Sequence, residues 1–147
     1  MQIVKNVILF LFFNLIIVCS QAQQRLAVDS FFNRNLTSHQ RDSIQRLIAY
    51  YTHLIEADSL NQQAYFERAK LYVDLGMQHK AVKDYSRLIL IDSLNPIYYY
   101  NRAICRSKYG FTLDACSDMY KASQMGLLQA QEVYQRKCAL YKNQLEK

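Results

Sequence analysis

Tyr65-Phe66-Glu67-Arg68-Ala69 is followed, 34 positions on, by Tyr99-Tyr100-Asn101-Arg102-Ala103. The same shift carries Asp58-Ser59-Leu60-Asn61 onto Asp92-Ser93-Leu94-Asn95, Gly76 onto Gly110, Ala81 onto Ala115 and Asp84 onto Asp118. Self-similarity at one fixed period indicates a small unit that is stacked on its own copies. Within the unit, Tyr65, Ala69, Tyr72 and Leu75 recur three and four residues apart, the spacing of one helix face, before Gly76 supplies a helix-ending turn. His79 to Ile91 repeats that spacing at Ala81, Tyr85, Leu88 and Ile91. The next unit opens at Asn95-Pro96, where Asn accepts a hydrogen bond from a free amide and Pro, lacking an amide hydrogen, fits the first turn.

Each unit therefore reads as two helices, and the expected fold is all-α. Only 3 Gly and 1 Pro occur in 147 residues, too few breakers for a strand-rich chain with many tight turns. Small residues recur where two helices cross: Ala69 and Ala81 in one unit, Ala103 and Ala115 in the next, since a larger side chain there would push the backbones apart. Arg68 and Arg102 fall at interior positions, with Asp84 and Asp118 at a matching offset in the second helices. We read them as paired charges that fix helix register, within about 4 Å of each other, in preference to an anion site.

At these residues the sequence resembles the tetratricopeptide repeat family. Tyr65, Ala69, Tyr72, Gly76, Ala81 and Tyr85 match the pattern of its 34-residue unit, and Tyr99, Ala103, Gly110, Ala115 and Ala122 match in the following one, which departs at Arg106 and Met119. The resemblance implies an α-α superhelix of antiparallel helix pairs, about two and a half to three units, over residues 23–147. The units are 28–61 (degenerate, keeping Phe31-Phe32-Asn33-Arg34 but with Asp42 and Leu47 at the glycine and small positions), 62–95 and 96–127. Thr37-x-x-Gln40 looks like a capping box that starts a long helix from about Ser38 to Ala57. Leu128 to Leu145 resembles the amphipathic capping helix that closes the apolar end of such arrays.

Residues Met1 to Ala22 are of another kind. Lys5 precedes an almost wholly apolar run, Val7 to Val18, and Ser20-Gln21-Ala22 has small residues at both specificity positions of a signal-peptidase site. We expect an exported protein, periplasmic or secreted, cleaved after Ala22 and keeping no stable membrane span. The alternative is lipid anchoring at Cys19, against which Val18 stands where a small residue is usual.

The net charge of +6 is modest, and acidic residues are scattered among the basic ones, so no nucleic-acid stripe is expected. The sequence contains no Gly-rich phosphate loop, Cys-x-x-Cys pair, His-Glu-x-x-His helix or Gly-x-Ser-x-Gly elbow. His39, His53 and His79 lie on separate helices without metal-ligand spacing. We expect no enzyme, no cofactor and no metal.

The side that in this family lines the concave groove carries Phe66 and Tyr100, then Lys70 and Ile104, then Asp74 and Lys108, at successive four-residue steps. An aromatic and aliphatic strip edged with charge suits a protein or peptide partner. The strip is expected to be half exposed while Tyr65, Tyr72, Tyr85 and Tyr99 sit in the core. A scaffold or adaptor of the bacterial envelope is the expected role, and a subunit that forms homo-oligomers through the strip is the alternative. The family's clamp for acidic chaperone tails is missing, because Phe32, Leu36, Glu67 and Ile97 stand at its places and only Asn101 fits.

Export favours cysteine pairing. Cys116 lies on the second helix of its unit, on the side toward the terminal helix, and that helix carries Cys138. These two are the expected bridge, with Cys105 a free buried thiol. Three separate buried cysteines are the alternative.

Overall fold

Thr37 opens the first helix: the Gln40 amide donates to Thr37 Oγ1 at 3.3 Å and the Thr37 amide to Gln40 Oε1 at 2.9 Å, so two otherwise free amides are satisfied reciprocally. This helix, α1 (Ser38–Ala57), is followed by α2 (Gln62–Asp74), α3 (Gln78–Ile91), α4 (Pro96–Arg106), α5 (Leu113–Gln124), α6 (Leu128–Lys137) and the short α7 (Lys142–Leu145). These elements come from a computed structural model that describes residues 36–146, and among the described residues there is no strand. The leader, the Cys19 alternative and the Phe31-Phe32-Asn33-Arg34 part of the first unit lie outside the described residues.

Sequence sets where these helices stop. After α2 the Met77 amide donates to the Tyr72 carbonyl at 2.7 Å and the Gly76 amide to the Val73 carbonyl at 2.9 Å, a closure that needs the left-handed backbone of Gly76 (φ 72°). The same pair of bonds ends α5, from Leu127 to Ala122 and from Gly126 to Ser123. Gly110 differs: α4 ends early at Arg106, a 3-10 turn covers Ser107–Tyr109, and Gly110 takes φ 131°. Asn61 and Asn95 cap the starts of α2 and α4 by accepting from the amides of Ala64 and Ile97.

Each helix from α1 to α5 packs on the next one in the chain. Ala69, Ala81, Ala103 and Ala115 are completely buried at the crossings. Two cores result. Tyr65, Ala69, Ala81, Tyr85, Leu88, Tyr98 and Cys105 close the space among α2, α3 and α4, and Ala103, Cys116, Met119, Ala122, Ala130, Tyr134 and Cys138 close that among α4, α5 and α6. A side chain such as Leu88, with no exposed surface, contributes about 2 kcal/mol by leaving water. α1 has no fully buried residue, and Leu47 and Tyr50 on it are about half exposed.

Two expectations are corrected here. Tyr72 and Tyr99 are only half buried, the Tyr99 hydroxyl donating to the Ser93 carbonyl, and Tyr98 is the buried ring. Tyr98 stands one period after Ala64, also buried; the large ring fills the gap between successive units and donates to Gln62 Oε1 at 3.1 Å. The terminal segment is not one helix over 128–145. It breaks at the buried Cys138, turns through a 3-10 segment at Ala139–Tyr141 and resumes as α7, which brings Tyr141 and Leu145 back onto the second core.

Candidate functional site

The two described first helices, α2 and α4, present the expected face through equivalent residues. Phe66 on α2 is half buried, its ring 6.1 Å from that of Tyr85 and 6.0 Å from that of Tyr98. Tyr100 and Ile104 on α4 are likewise half buried against the second core, and Ile97, one turn earlier, is 38% exposed. Lys70 is exposed; its ammonium lies 5.7 Å from the Phe66 ring centre and 2.9 Å from Glu67, which also accepts from Gln63 at 3.0 Å. The result is a rigid aromatic step on α2 edged with charge, beside an aliphatic and aromatic step on α4. Asp74, at the end of α2, is half buried.

Lys108 lies in the 3-10 turn beyond the end of α4, not on the helix itself. Because α4 ends at Arg106, the four-residue spacing from Ile104 is lost, and Lys108 reaches back to Gln78 Oε1 at 3.0 Å and toward the Gly76 carbonyl. Gln78 is buried and its Nε2 has no hydrogen-bond partner, so Lys108 supplies half of what that amide needs.

The repeated charges come together. Arg68 holds Asp84 with two parallel hydrogen bonds of 2.9 and 2.7 Å, and Arg102 holds Asp118 with bonds of 2.8 and 2.7 Å. Each guanidinium spends a third donor on a hydroxyl of the preceding unit: Arg68 on Thr52 and Arg102 on Ser86, both at 3.0 Å. Those hydroxyls in turn donate to the carbonyls four residues back, Ile48 and Val82, both at 2.7 Å. Hydrogen bonding to the Asp84 carboxylate outweighs burial and raises the Arg68 pKa above its ordinary value. Thr52 and Ser86 are 34 residues apart, so the repeat itself held the signal for this partner, which the charged residues alone do not reveal. Arg106, where the preceding unit has Tyr72, adds a second cation to Asp118 at 2.7 Å.

Cys116 and Cys138 form a disulfide with Cα atoms 5.6 Å apart, both fully buried, which fastens the end of α6 to α5. Beside it a cavity of about 380 Å³ is lined by residues including Tyr120, Gln131 and Tyr134. Cys105 is a free buried thiol, and burial pushes its pKa up to about 12. The thiolate is the reactive form, so Cys105 is expected to resist iodoacetamide in the native protein at pH 8 and to react fully in urea. Rapid native labelling, followed by mass spectrometry, would contradict its burial.

His39 and His53 are exposed and share α1, which corrects their assignment to separate helices, and His79 is exposed on α3. Among the described residues no group of three or more His, Cys, Asp or Glu is arranged to hold a metal ion, and no helix is long and apolar enough to cross a membrane. A scan of family models and a search of curated proteins return no match to this chain.

Proposed function

We propose that the chain is an exported tetratricopeptide array that binds a protein segment along the face of its first helices and catalyses no reaction. The observation that carries this reading is the recurrence of one half-exposed face on successive units, Phe66 with Lys70 and Tyr100 with Ile104. The packing of each helix on its chain neighbour and the doubled Arg-Asp-hydroxyl arrangement support antiparallel helix pairs at a 34-residue period. The face is built from aromatic and aliphatic groups edged with charge, which suits an extended or helical segment.

A photo-crosslinking amino acid at position 100 is expected to capture a discrete partner in the native envelope, while the same group at the exposed Lys83 on α3 captures none. Tyr100→Ala is expected to weaken that complex by roughly 1–3 kcal/mol with the melting curve little changed, as for an anchor outside the core. Equal capture from both positions, or a collapse of folding, would count against the reading. If sedimentation instead returned a stable homodimer linked through position 100, the self-associating subunit would replace it.

A further inference from the structure

α6 is not followed by a full second helix, as α2 and α4 are. Behind it come only the 3-10 turn at Ala139–Tyr141 and the four-residue α7. The cavity of about 380 Å³ beside the disulfide is lined by residues of α5, α6 and this short terminal segment. Two rings contribute to it, those of the half-buried Tyr120 and the buried Tyr134, with centres 5.2 Å apart and planes tilted by 42°. Gln124, Gln131 and Gln135 also line it and are exposed, and their side-chain amides bond to no other group among the described residues. The half-buried Ser123 donates its hydroxyl to the Tyr120 carbonyl at 2.7 Å and keeps its acceptor lone pairs.

Charge does not select the occupant. The ionic groups of the lining, Lys142 and Glu146, stand 4.0 Å apart and offset each other, and Glu146 also accepts from the Tyr134 hydroxyl at 3.4 Å. An anion or a cation in the cavity would have to break that pair. A wholly apolar ligand would cover the glutamine amides without satisfying them, which opposes binding. The lining instead matches a neutral molecule that carries donors and acceptors together. Each carboxamide presents N–H donors and a carbonyl oxygen side by side, the pattern that pairs with two adjacent hydroxyls, each of which donates and accepts. An aromatic ring takes the C–H side of the same molecule. Adjacent hydroxyls and a C–H face are the two surfaces of a pyranose. At about 30 Å³ per water the cavity corresponds to about a dozen waters, and one hexopyranose has about that many non-hydrogen atoms.

We propose that this cavity binds an uncharged pyranose, with Gln124, Gln131 and Gln135 on its hydroxyls and Tyr120 against its C–H face. The site is separate from the first-helix face and does not depend on what that face binds.

The probes are methyl β-glucopyranoside, methyl β-galactopyranoside and N-acetylglucosamine, each titrated into the purified protein and followed by saturation-transfer NMR and calorimetry. At least one is expected to saturate with a millimolar dissociation constant, the strength open to a ligand of about a dozen atoms. Gln131→Ala with Gln135→Ala is expected to weaken that sugar tenfold or more with an unchanged melting curve, since both side chains are exposed. Tyr120→Leu, which keeps apolar bulk and removes the ring face, is expected to weaken it about fivefold. Glucuronate and glucosamine, which put a charge on the same ring, are expected to bind more weakly than the glucoside. Tyr100→Ala is expected to leave sugar binding unchanged, so failure of this site and failure of the first-helix face are read separately. Absence of saturable binding by all three sugars, indifference to the double glutamine variant or tighter binding of either charged analogue would each overturn the proposal. So would displacement of the sugar by a lower concentration of acetyl-triglycine amide, which would assign the cavity to a peptide main chain.

Discussion

Asp118→Ala is expected to destabilise the protein by about 3–5 kcal/mol, more than any other single substitution of a charged residue. The Asp118 side chain is 6% exposed and accepts from two guanidiniums, those of Arg102 and Arg106, whose side chains are 16% and 28% exposed. Removing it leaves two cations facing each other with little water to screen them. Asp84→Ala in the preceding unit is expected to cost about 2 kcal/mol, because it strands one guanidinium, which keeps Thr52 and lies within 6 Å of the ring centres of Tyr65 and Tyr72. Urea unfolding followed by far-ultraviolet circular dichroism measures both. The order of the two losses is the test: equal costs would show that Arg106 contributes no strain when its partner is lost. Introducing Asp118→Ala into an Arg106→Tyr background should reduce the penalty, since one stranded cation is gone.

Reduction of the Cys116–Cys138 bridge is expected to lower stability by about 3 kcal/mol, the chain-entropy value for a loop with a sequence separation of 22. In the chain-entropy model the loss arises mainly from a freer unfolded chain. It should appear as a lower urea midpoint in the presence of a reductant, with little change in native circular dichroism. Native spectra that lose helix signal on reduction would instead mean that α6 and α7 stay docked only while clipped. No change in midpoint would mean that the bridge is not formed in the protein as isolated.

The periodic part of the fold was legible because the same physical demands return every 34 residues: alanines at crossings, glycine or asparagine at helix ends, an Arg and an Asp spaced to meet. Reading one residue type at a time hid the rest. Tyr98 was obscured because its equivalent, Ala64, is small, and the size of the gap that a ring must fill between units is a property of packing and not of periodicity. Lys108 was placed by extending a helical spacing past Arg106, where the helix had already given way to a 3-10 turn. The break at Cys138 had no local sign, since neither Gly nor Pro occurs there and Tyr134, Cys138, Tyr141 and Leu145 keep the spacing of one helix face. The half-exposed face proposed for binding was read from Phe66, Lys70, Tyr100 and Ile104, whose spacing lies within unbroken helix.

The third donor of each guanidinium has a kinetic consequence. Arg68 ties its own unit to Thr52 on α1, and Arg102 ties the next to Ser86 on α3. In a linear array, cooperativity depends on how the coupling between neighbours compares with the stability of each unit alone. These bonds act only across boundaries, so they add to the coupling and nothing to the isolated unit. Amide hydrogen exchange should therefore show α2 to α5 opening together, with α1, none of whose residues is fully buried, exchanging ahead of them. Thr52→Val would be expected to widen that interval, because it cuts a link between neighbours while leaving the interior of both intact.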